Sequence, residues 1–343
     1  MLKRLLPLLL ALMVLAPYSL QAKQGFRVAW SHYTGWEPWG YAQQSGILKK
    51  WADKYDIDIE LTLVNDYIES INLYTAGKFD ACAMTNMDAL TIPAVGGIDS
   101  EAVVVGDFSN GNDGIVIKGG DKVTDLKGRT VNLVELSVSH YLLARALDMN
   151  GLTERDVKLV NTSDADIAAL FVSDSQGAAV TWNPPLMQSR NAEGAKMVFD
   201  SSDIPGEIID LMVVRSNAPD SLKLALSGAW YETLAVITGK DATAEKAIEY
   251  MATASGATVA EFKAQLATTA MFYKPADAVA FVASSKPRET MQHVRQFSFD
   301  KGLYGDMAES PDFVGIQFDD GKVLGDSANI KLRFSSKWMK AQQ

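Results

Sequence analysis

The chain has 343 residues, 48% of them hydrophobic and 22% charged, so it can bury a substantial core and is long enough for two domains. Its formal net charge of −10 disfavours binding to nucleic acid or to anionic lipid. A single cysteine, Cys82, excludes an internal disulfide and is expected in a buried strand. The fold must therefore depend on its core.

The first 22 residues differ from the rest. Lys3 and Arg4 precede an apolar run that ends in small and polar residues before Ala22, which is typical of a Sec-type signal peptide cleaved after residue 22. The apolar run is short for a membrane-spanning helix, and Pro7 and Pro17 bracket it. Removing the two positive charges takes the net charge from −10 to −12. The mature protein is predicted to be exported.

Strands and helices alternate over most of the remaining chain. Apolar runs and alternating patterns predict strands at 26–30, 57–64, 79–85, 101–108, 114–120, 129–136, 157–162, 177–182 and 207–216. Helices are predicted between them, for example at 67–77, 87–97 and 137–151, and the chain after Pro219 is mostly helical by pattern. This order predicts an α/β fold of two units, each a mainly parallel sheet flanked by helices. The chain is expected to cross between the units near residues 112–118 and 211–216.

The loop after the first strand is rich in aromatic residues. Ligands of open α/β sheets bind beyond the carboxyl ends of the strands, so the loops at these ends are candidates for a site. Tyr33 and Trp36 precede Pro38, and rigid rings with a polar edge suit the wall of a cleft. Trp39 and Tyr41 are expected to face the core. The sequence therefore predicts that Tyr33 and Trp36 line a cleft between the two units.

Polar residues follow several other strands. Asn86 and Asp88 stand where a helix begins, so helix capping and ligand contact are both open for them. The segment 106–113, GDFSNGND, is interpreted as a hinge turn because Asn-Gly is a strong turn signal. Ser137 begins a helix whose bare N-terminus would suit an anion, but Glu135 beside it would repel one. The remaining candidates are Trp182 and Asp210.

Enzyme signatures are missing from the sequence. It contains no G-x-S-x-G, no phosphate-binding Gly-Lys-Ser/Thr loop and no pair of histidines at metal-ligand spacing. His32, His140 and His293 are scattered along the chain. We therefore predict no catalytic residue, no metal ligand and no cofactor, and we expect that the protein is not an enzyme.

Four segments together resemble a known class of proteins. They are GWEPWGYAQQSGILKKW (35–51), YTAGKFDACAMTNMDAL (74–90), DLKGRTVNLVELSVSHYLLARALDMNGL (125–152) and GAAVTWNPP (177–185). In order and spacing they resemble the periplasmic substrate-binding proteins of the nitrate/sulfonate/taurine class of ABC importers. Within that class the chain looks most like the urea carboxylase-associated branch, a setting whose enzymes act on guanidine.

The resemblance implies a two-lobed type II periplasmic binding protein fold with its ligand cleft between the lobes. The first lobe is expected to comprise residues 23–115 and 214–343, and the second lobe residues 116–213. The resemblance also implies a periplasmic monomer that closes around a small solute. Such a protein delivers its solute to an ABC permease and its ATPase at the inner membrane.

The residues at the strand ends favour guanidinium as the solute. A flat cation with N–H donors on every edge needs carboxylates in its plane and aromatic rings on its faces. The predicted ligand-binding residues are Tyr33, Trp36, Asn86, Asp88, Glu135, Ser137, Trp182 and Asp210. On the same fold, urea, a sulfonate such as taurine, nitrate, a short amine and a pyrimidine precursor stay open as ligands. A thiamin-precursor enzyme is a further alternative, against which the predicted signal peptide argues.

Overall fold

The computed structural model describes residues 23–306 and 308–343, so the predicted signal peptide lies outside the described residues. Within these two ranges, no helix is long and apolar enough to cross a membrane. The strands are β1 Gln24–Trp30, β2 Ile57–Leu63, β3 Ala81–Thr85, β4 Ser100–Ser109, β5 Asp113–Lys118, β6 Thr130–Leu133, β7 Lys158–Asn161, β8 Ala178–Trp182, β9 Ala195–Asp200, β10 Ile209–Arg215, β11 Thr269–Met271, β12 Gly315–Gln317, β13 Val323–Leu324 and β14 Ile330–Phe334.

Helices connect and cover these strands. They are α1 Glu37–Gln44, α2 Ile47–Lys54, α3 Tyr67–Thr75, α4 Asn86–Ala89, α5 Val138–Met149, α6 Asp164–Ser173, α7 Pro185–Arg190, α8 Asp220–Ile237, α9 Ala242–Ala254, α10 Val259–Leu266, α11 Pro275–Ala283, α12 Lys286–Asp300 and α13 Lys337–Lys340. Asp66, Ser137 and Asp241 each accept a backbone N–H bond as the N-cap of their helices, and of these the sequence analysis identified Ser137.

The strands form two separate sheets. The first has the order β13-β12-β14-β4-β10-β3-β1-β2, with β11 paired to β4, and the second has the order β7-β6-β8-β5-β9. In the first sheet β1 is parallel to β2 and β3, whereas β10 is antiparallel to both of its neighbours. In the second sheet β6 is parallel to β7 and β8, whereas β5 is antiparallel to β8 and β9. We call the halves built on these sheets the first and second lobes.

The chain crosses between the lobes twice. It leaves the first sheet through residues 110–112, between β4 and β5, and returns through residues 201–208, between β9 and β10. The crossings contact each other, because Ser201 Oγ accepts a hydrogen bond from the Gly111 N–H at 2.7 Å and lies 2.6 Å from Ser109 Oγ. These crossings fall a few residues from the predicted lobe boundaries at 115/116 and 213/214.

Three sequence predictions of local structure need correction. The segment after Pro219 is mostly helical but also contributes β11 to β14, whose two to five residues are too short to show a period in the sequence. The strand predicted at 129–136 ends at Leu133, because the chain turns there and Leu136 adopts a left-handed φ of 62°. The helix predicted at 87–97 is the short α4 followed by a π-helical turn at Leu90–Ala94.

Both faces of the first sheet are covered, which explains why its central strands are uniformly apolar. All five residues of β3 are buried, and so are the first six of β10. Helices α1 and α8 pack beside this sheet, with the rings of Trp39 and Trp230 centred 4.8 Å apart. Trp39 therefore belongs to the core, as its sequence context predicts.

Candidate ligand-binding site

A small cavity lies between the lobes at the carboxyl ends of β1, β3 and β8. Its empty space of about 240 Å³ is partly open to solvent. Because β10 is antiparallel to β3, its first residues reach the same edge of the sheet. The lining residues are Tyr33, Trp36, Tyr67, Thr85, Asp113, Val138, Trp182, Ile208 and Asp210. The position and size indicate a site for a small solute.

Four aromatic rings form a continuous wall of this cavity. The ring centroids of Tyr33 and Trp36 are 5.0 Å apart, and those of Trp36 and Tyr67 are 5.6 Å apart. Trp182 of the second lobe meets Tyr67 edge to face at 5.5 Å, and its Nε1 donates to the His32 carbonyl at 3.3 Å. Each of the four is at most 5% exposed, so the lobes are closed around the site. Rings so placed offer their faces to a flat or cationic solute.

Two buried aspartates face each other at one end of the cavity. Asp107 on β4 and Asp210 on β10 are directly opposite in the antiparallel register. The Tyr33 hydroxyl donates to Asp107 Oδ1 at 3.2 Å. The Oδ2 atoms of both aspartates are buried and have no hydrogen-bond partner among the described residues. Burial raises the pKa of both carboxyl groups, and the charge of Asp107 raises that of Asp210 further.

Gly35 allows the aromatic loop to approach these carboxylates. A Cβ atom at this position would lie 2.4 Å from the Tyr33 ring and 2.8 Å from Asp107 Oδ2. A larger residue would therefore push the loop away from the pair. The glycine that makes this segment irregular in sequence also makes the close approach possible.

Two further buried aspartates surround the same space. Asp113, at the start of β5, lines the cavity, and burial raises the pKa of its carboxyl group to about 7. Asp88 lies behind Tyr67 and Thr85, whose hydroxyls donate to its Oδ2 at 2.6 and 2.9 Å. Burial raises the pKa of Asp88 to about 6. No lysine, arginine or histidine in the described ranges forms an ion pair with any of these four acids.

The structure brings four of the eight predicted site residues to the cavity, namely Tyr33, Trp36, Trp182 and Asp210. Ser137 is the N-cap of α5 and lies behind the lining. Asn86 bridges the backbone instead, since its Oδ1 accepts from the Ile209 N–H at 2.9 Å and its Nδ2 donates to the Glu207 carbonyl. Asp88 lies one layer behind the lining.

Glu135 is not among the lining residues, contrary to the sequence-based expectation. It is half-buried outside the cavity, and its backbone N–H donates to Asn161 Oδ1 at 3.0 Å. The cause is the early end of β6, since the turn at 134–137 intervenes between the strand and α5. The carboxylates nearest the ligand space are instead Asp107, Asp113 and Asp210.

Sequence reasoning did not assign six residues to the site, which are Tyr67, Thr85, Asp107, Asp113, Val138 and Ile208. Asp107 and Asp113 belong to the segment interpreted as a hinge turn, and they do flank the first crossing. Asp107 lies near the end of its strand, the position that identified the other candidates, whereas Asp113 begins the next strand and reaches the same edge because β5 is antiparallel to β8. Tyr67 gave no such signal, since it begins an amphipathic helix.

Two sheets joined by two crossings, with an enclosed cavity at the strand ends between them, define the periplasmic binding protein fold. The chain belongs to the NMT1/THI5-like family, whose model matches residues 41–218. No curated protein sequence matches the chain. Solved structures of periplasmic binding proteins do match, so the predicted fold is confirmed.

Three of these solved structures illustrate the likeness. The aliphatic sulphonate-binding protein SsuA from Escherichia coli is 18% identical with a TM-score of 0.68. The alignment covers 82% of this chain and 94% of that protein. The alkanesulfonate-binding protein SsuA from Xanthomonas axonopodis pv. citri, bound to MOPS, is 16% identical with a TM-score of 0.67 and the same coverage. The nitrate-binding protein NrtA from Synechocystis PCC 6803 is 11% identical with a TM-score of 0.58. The alignment covers 94% of this chain and 99% of that protein. At these identities the likeness concerns the fold alone.

Proposed function

We propose that the protein is the extracytoplasmic solute-binding component of an ABC importer and that it captures a small planar nitrogen-rich cation, guanidinium first. Capture occurs by closure of the two lobes, and the bound solute passes to a permease and its ATPase at the inner membrane. The predicted signal peptide supports a periplasmic location. The relatives of the same fold that bind sulfonates or nitrate support the role in import. The protein would bind and release its solute as a monomer, without chemistry and without a cofactor.

One observation carries the choice of a cation. Asp113 and Asp210 line a space walled by aromatic rings, Asp107 lies opposite Asp210 in the strand register, and no described basic group neutralises these three acids. An unpaired buried carboxylate is costly unless its charge is compensated. A cationic solute supplies this compensation when it enters. The free energy lost on burying the acids is thereby recovered as binding energy.

The shape of the site favours guanidinium over its neutral and anionic competitors. Guanidinium is flat and presents N–H donors along its edges. Its faces therefore suit the rings of Trp36 and Tyr67, and its edges suit the carboxylates. Urea has almost the same shape but carries no charge, so the carboxylates would stay uncompensated around it. Taurine and nitrate would bring negative groups against the same acids.

The test is thermal unfolding and titration calorimetry of the mature protein with guanidinium, urea, taurine and nitrate. Guanidinium at about a hundred times its dissociation constant should add roughly 2.7 kcal/mol to the free energy of unfolding. Urea, taurine and nitrate at the same concentration should add little. Stabilisation by urea or by an anion instead of guanidinium would keep the importer class and overturn the ligand.

A matched pair of variants separates the sequence-based site from the structure-based one. Asp113→Asn removes a charge that lines the cavity and should weaken guanidinium binding strongly. Glu135→Gln removes a charge outside the cavity and should change the dissociation constant little. If Glu135→Gln weakened binding as much as Asp113→Asn does, the cavity described here would not be the binding site.

A further inference from the structure

Helix α5 of the second lobe contacts its surroundings along the face that begins at the cavity. Val138, the first residue of α5, lines the cavity, and Tyr141 and Arg145 follow three and seven residues later. Residues at this spacing lie on one face of a helix. The position of Val138 in the cavity wall therefore depends on what Tyr141 and Arg145 contact.

Tyr141 is fixed by the return crossing and by the first lobe together. Its side chain is buried, and its hydroxyl donates to Glu207 Oε2 at 2.6 Å, the same oxygen that accepts from Arg145 Nε at 2.9 Å. Its ring meets that of Phe297 on α12 edge to face, with the ring centroids 5.1 Å apart and the planes at 89°. Such aromatic pairs stabilise beyond the area that they bury. This pair joins α5 of the second lobe to α12 of the first.

An ion pair joins the lobes beside these two rings. Lys301 is the C-cap of α12, and its Nζ lies 2.8 Å from Oε1 of Glu154, in the helical turn Glu154–Asp156 that follows α5. Helix α12 itself is held in the first lobe, where Asn86 Nδ2 donates to Met291 Sδ at 3.4 Å. Neither Lys301 nor Glu154 belongs to a crossing, so the ion pair exists only while α5 and α12 stay side by side.

We propose that Phe297 and Lys301 are positioning residues that latch the lobes in the closed arrangement, and that they thereby prolong the residence of the solute without contacting it. The inference rests on the proposed solute-binding function, and neither residue lines the cavity. A solute enclosed between two lobes leaves only after the lobes separate. Separation breaks the contacts of Phe297 with Tyr141 and of Lys301 with Glu154. Weakening this latch should therefore speed the release of the solute.

The test compares the wild type with the double variant Phe297→Ala with Lys301→Met. Guanidinium release is followed by stopped-flow fluorescence, since Trp36 and Trp182 lie in the cavity wall. The release rate should rise about threefold or more, because the aromatic pair and the partly exposed ion pair each contribute modestly. Small-angle X-ray scattering of the ligand-free variant should show a larger radius of gyration, because more molecules are open. Phe297→Leu keeps an apolar side chain and answers the question if the alanine variant does not fold.

A matched control removes the same kinds of group within one lobe. Phe299 is on the same helix, but its ring meets that of Tyr304 in the first lobe, edge to face at 6.4 Å. Lys50 Nζ lies 2.8 Å from Glu232 Oε1 inside the same lobe. The double variant Phe299→Ala with Lys50→Met should therefore keep the release rate and the radius of gyration of the wild type.

Three results would overturn the latch: an unchanged release rate in the latch variant, an unchanged radius of gyration in it, or equal changes in the control variant. The scattering measurement needs no solute. If guanidinium does not bind the wild type, the proposed function fails, and the radius of gyration alone decides whether the latch exists.

Discussion

Strand β4 carries two acids, one mostly buried and one fully buried, whose surroundings are opposite. Glu101, near its start, pairs with Lys223 Nζ at 2.8 Å and accepts from Trp338 Nε1 at 2.7 Å. Asp107, near its end, faces Asp210 and has no basic partner in the described ranges. The same sheet thus pairs Glu101, which lies away from the cavity, with a lysine and leaves Asp107, which lies beside the cavity, without a basic partner. The acid without a basic partner therefore belongs to the cavity, and such acids are not a general property of this core.

The largest effect is expected where the compensated acid loses its partner. Lys223→Met would leave the Glu101 carboxylate, whose side chain is 12% exposed, without its basic partner. Breaking such a pair costs about 3–5 kcal/mol of unfolding free energy. Chemical denaturation measures this loss. The double variant Lys223→Met with Glu101→Gln should recover part of it, and equal stability of single and double variants would contradict the pairing.

An acid at the cavity should behave in the opposite way. Asp210→Asn removes a buried carboxyl group whose pKa is raised well above its usual range, so folding at pH 8 no longer has to protonate it and the ligand-free protein should become more stable. The same change should weaken guanidinium binding by about 2–5 kcal/mol, the usual cost of removing one member of a buried charge pair. Calorimetry and thermal unfolding of the same sample measure both quantities. A variant that lost stability and kept its affinity would place Asp210 among the structural acids with Glu101.

Of the two acids that line the cavity, only Asp210 was among the ligand-binding residues predicted from the sequence. The alternation of strands and helices predicted the α/β lobes, and the strand-end rule identified Tyr33, Trp36, Trp182 and Asp210, which line the cavity. These features are local, because a strand and its end can be recognised within about ten residues. The lobes and one part of the cavity wall therefore follow from the sequence.

The partners of these residues depend on contacts between distant parts of the chain. Asp107 becomes a site residue because the register of β4 and β10 places it opposite Asp210, and no local pattern encodes this pairing. Glu135 was favoured because it stands beside a helix N-terminus in sequence, yet the turn before α5 leaves it outside the cavity.

The buried acids in and beside the cavity should also make stability and ligand affinity depend on pH. Burial raises the pKa of Asp113 to about 7 and that of Asp88 to about 6. The folded, ligand-free protein therefore retains protons that the unfolded chain releases, so its stability should decrease as pH rises from about 4, the ordinary pKa of an aspartate, to about 7. Guanidinium needs the ionised carboxylates, and its affinity should increase over the same range by up to about tenfold per pH unit for each proton released.

Thermal unfolding and calorimetry across this range check both slopes. Asp164 and His32, outside the cavity lining, also have raised pKa values and act on stability in the same direction. The variant Asp113→Asn isolates the contribution of the site, because it should flatten the pH dependence of guanidinium affinity and leave the effects of those two groups. A stability that increased with pH, or an affinity independent of pH, would be inconsistent with protonated acids in the empty cavity.

The smallest expected effect concerns a neutral donor to one of the unpaired acids. The Tyr33 hydroxyl donates to Asp107 Oδ1 at 3.2 Å, so Tyr33→Phe should remove one hydrogen bond and raise the pKa of Asp107 further. Guanidinium affinity at pH 7 should fall by about 0.5–1.5 kcal/mol, which is between twofold and somewhat over tenfold. Tyr231→Phe is the control, because the hydroxyl of Tyr231 is buried without a partner among the described residues and outside the cavity lining. If both variants bound guanidinium equally well, Tyr33 would contribute its ring to the wall but no hydrogen bond to the charge of the site.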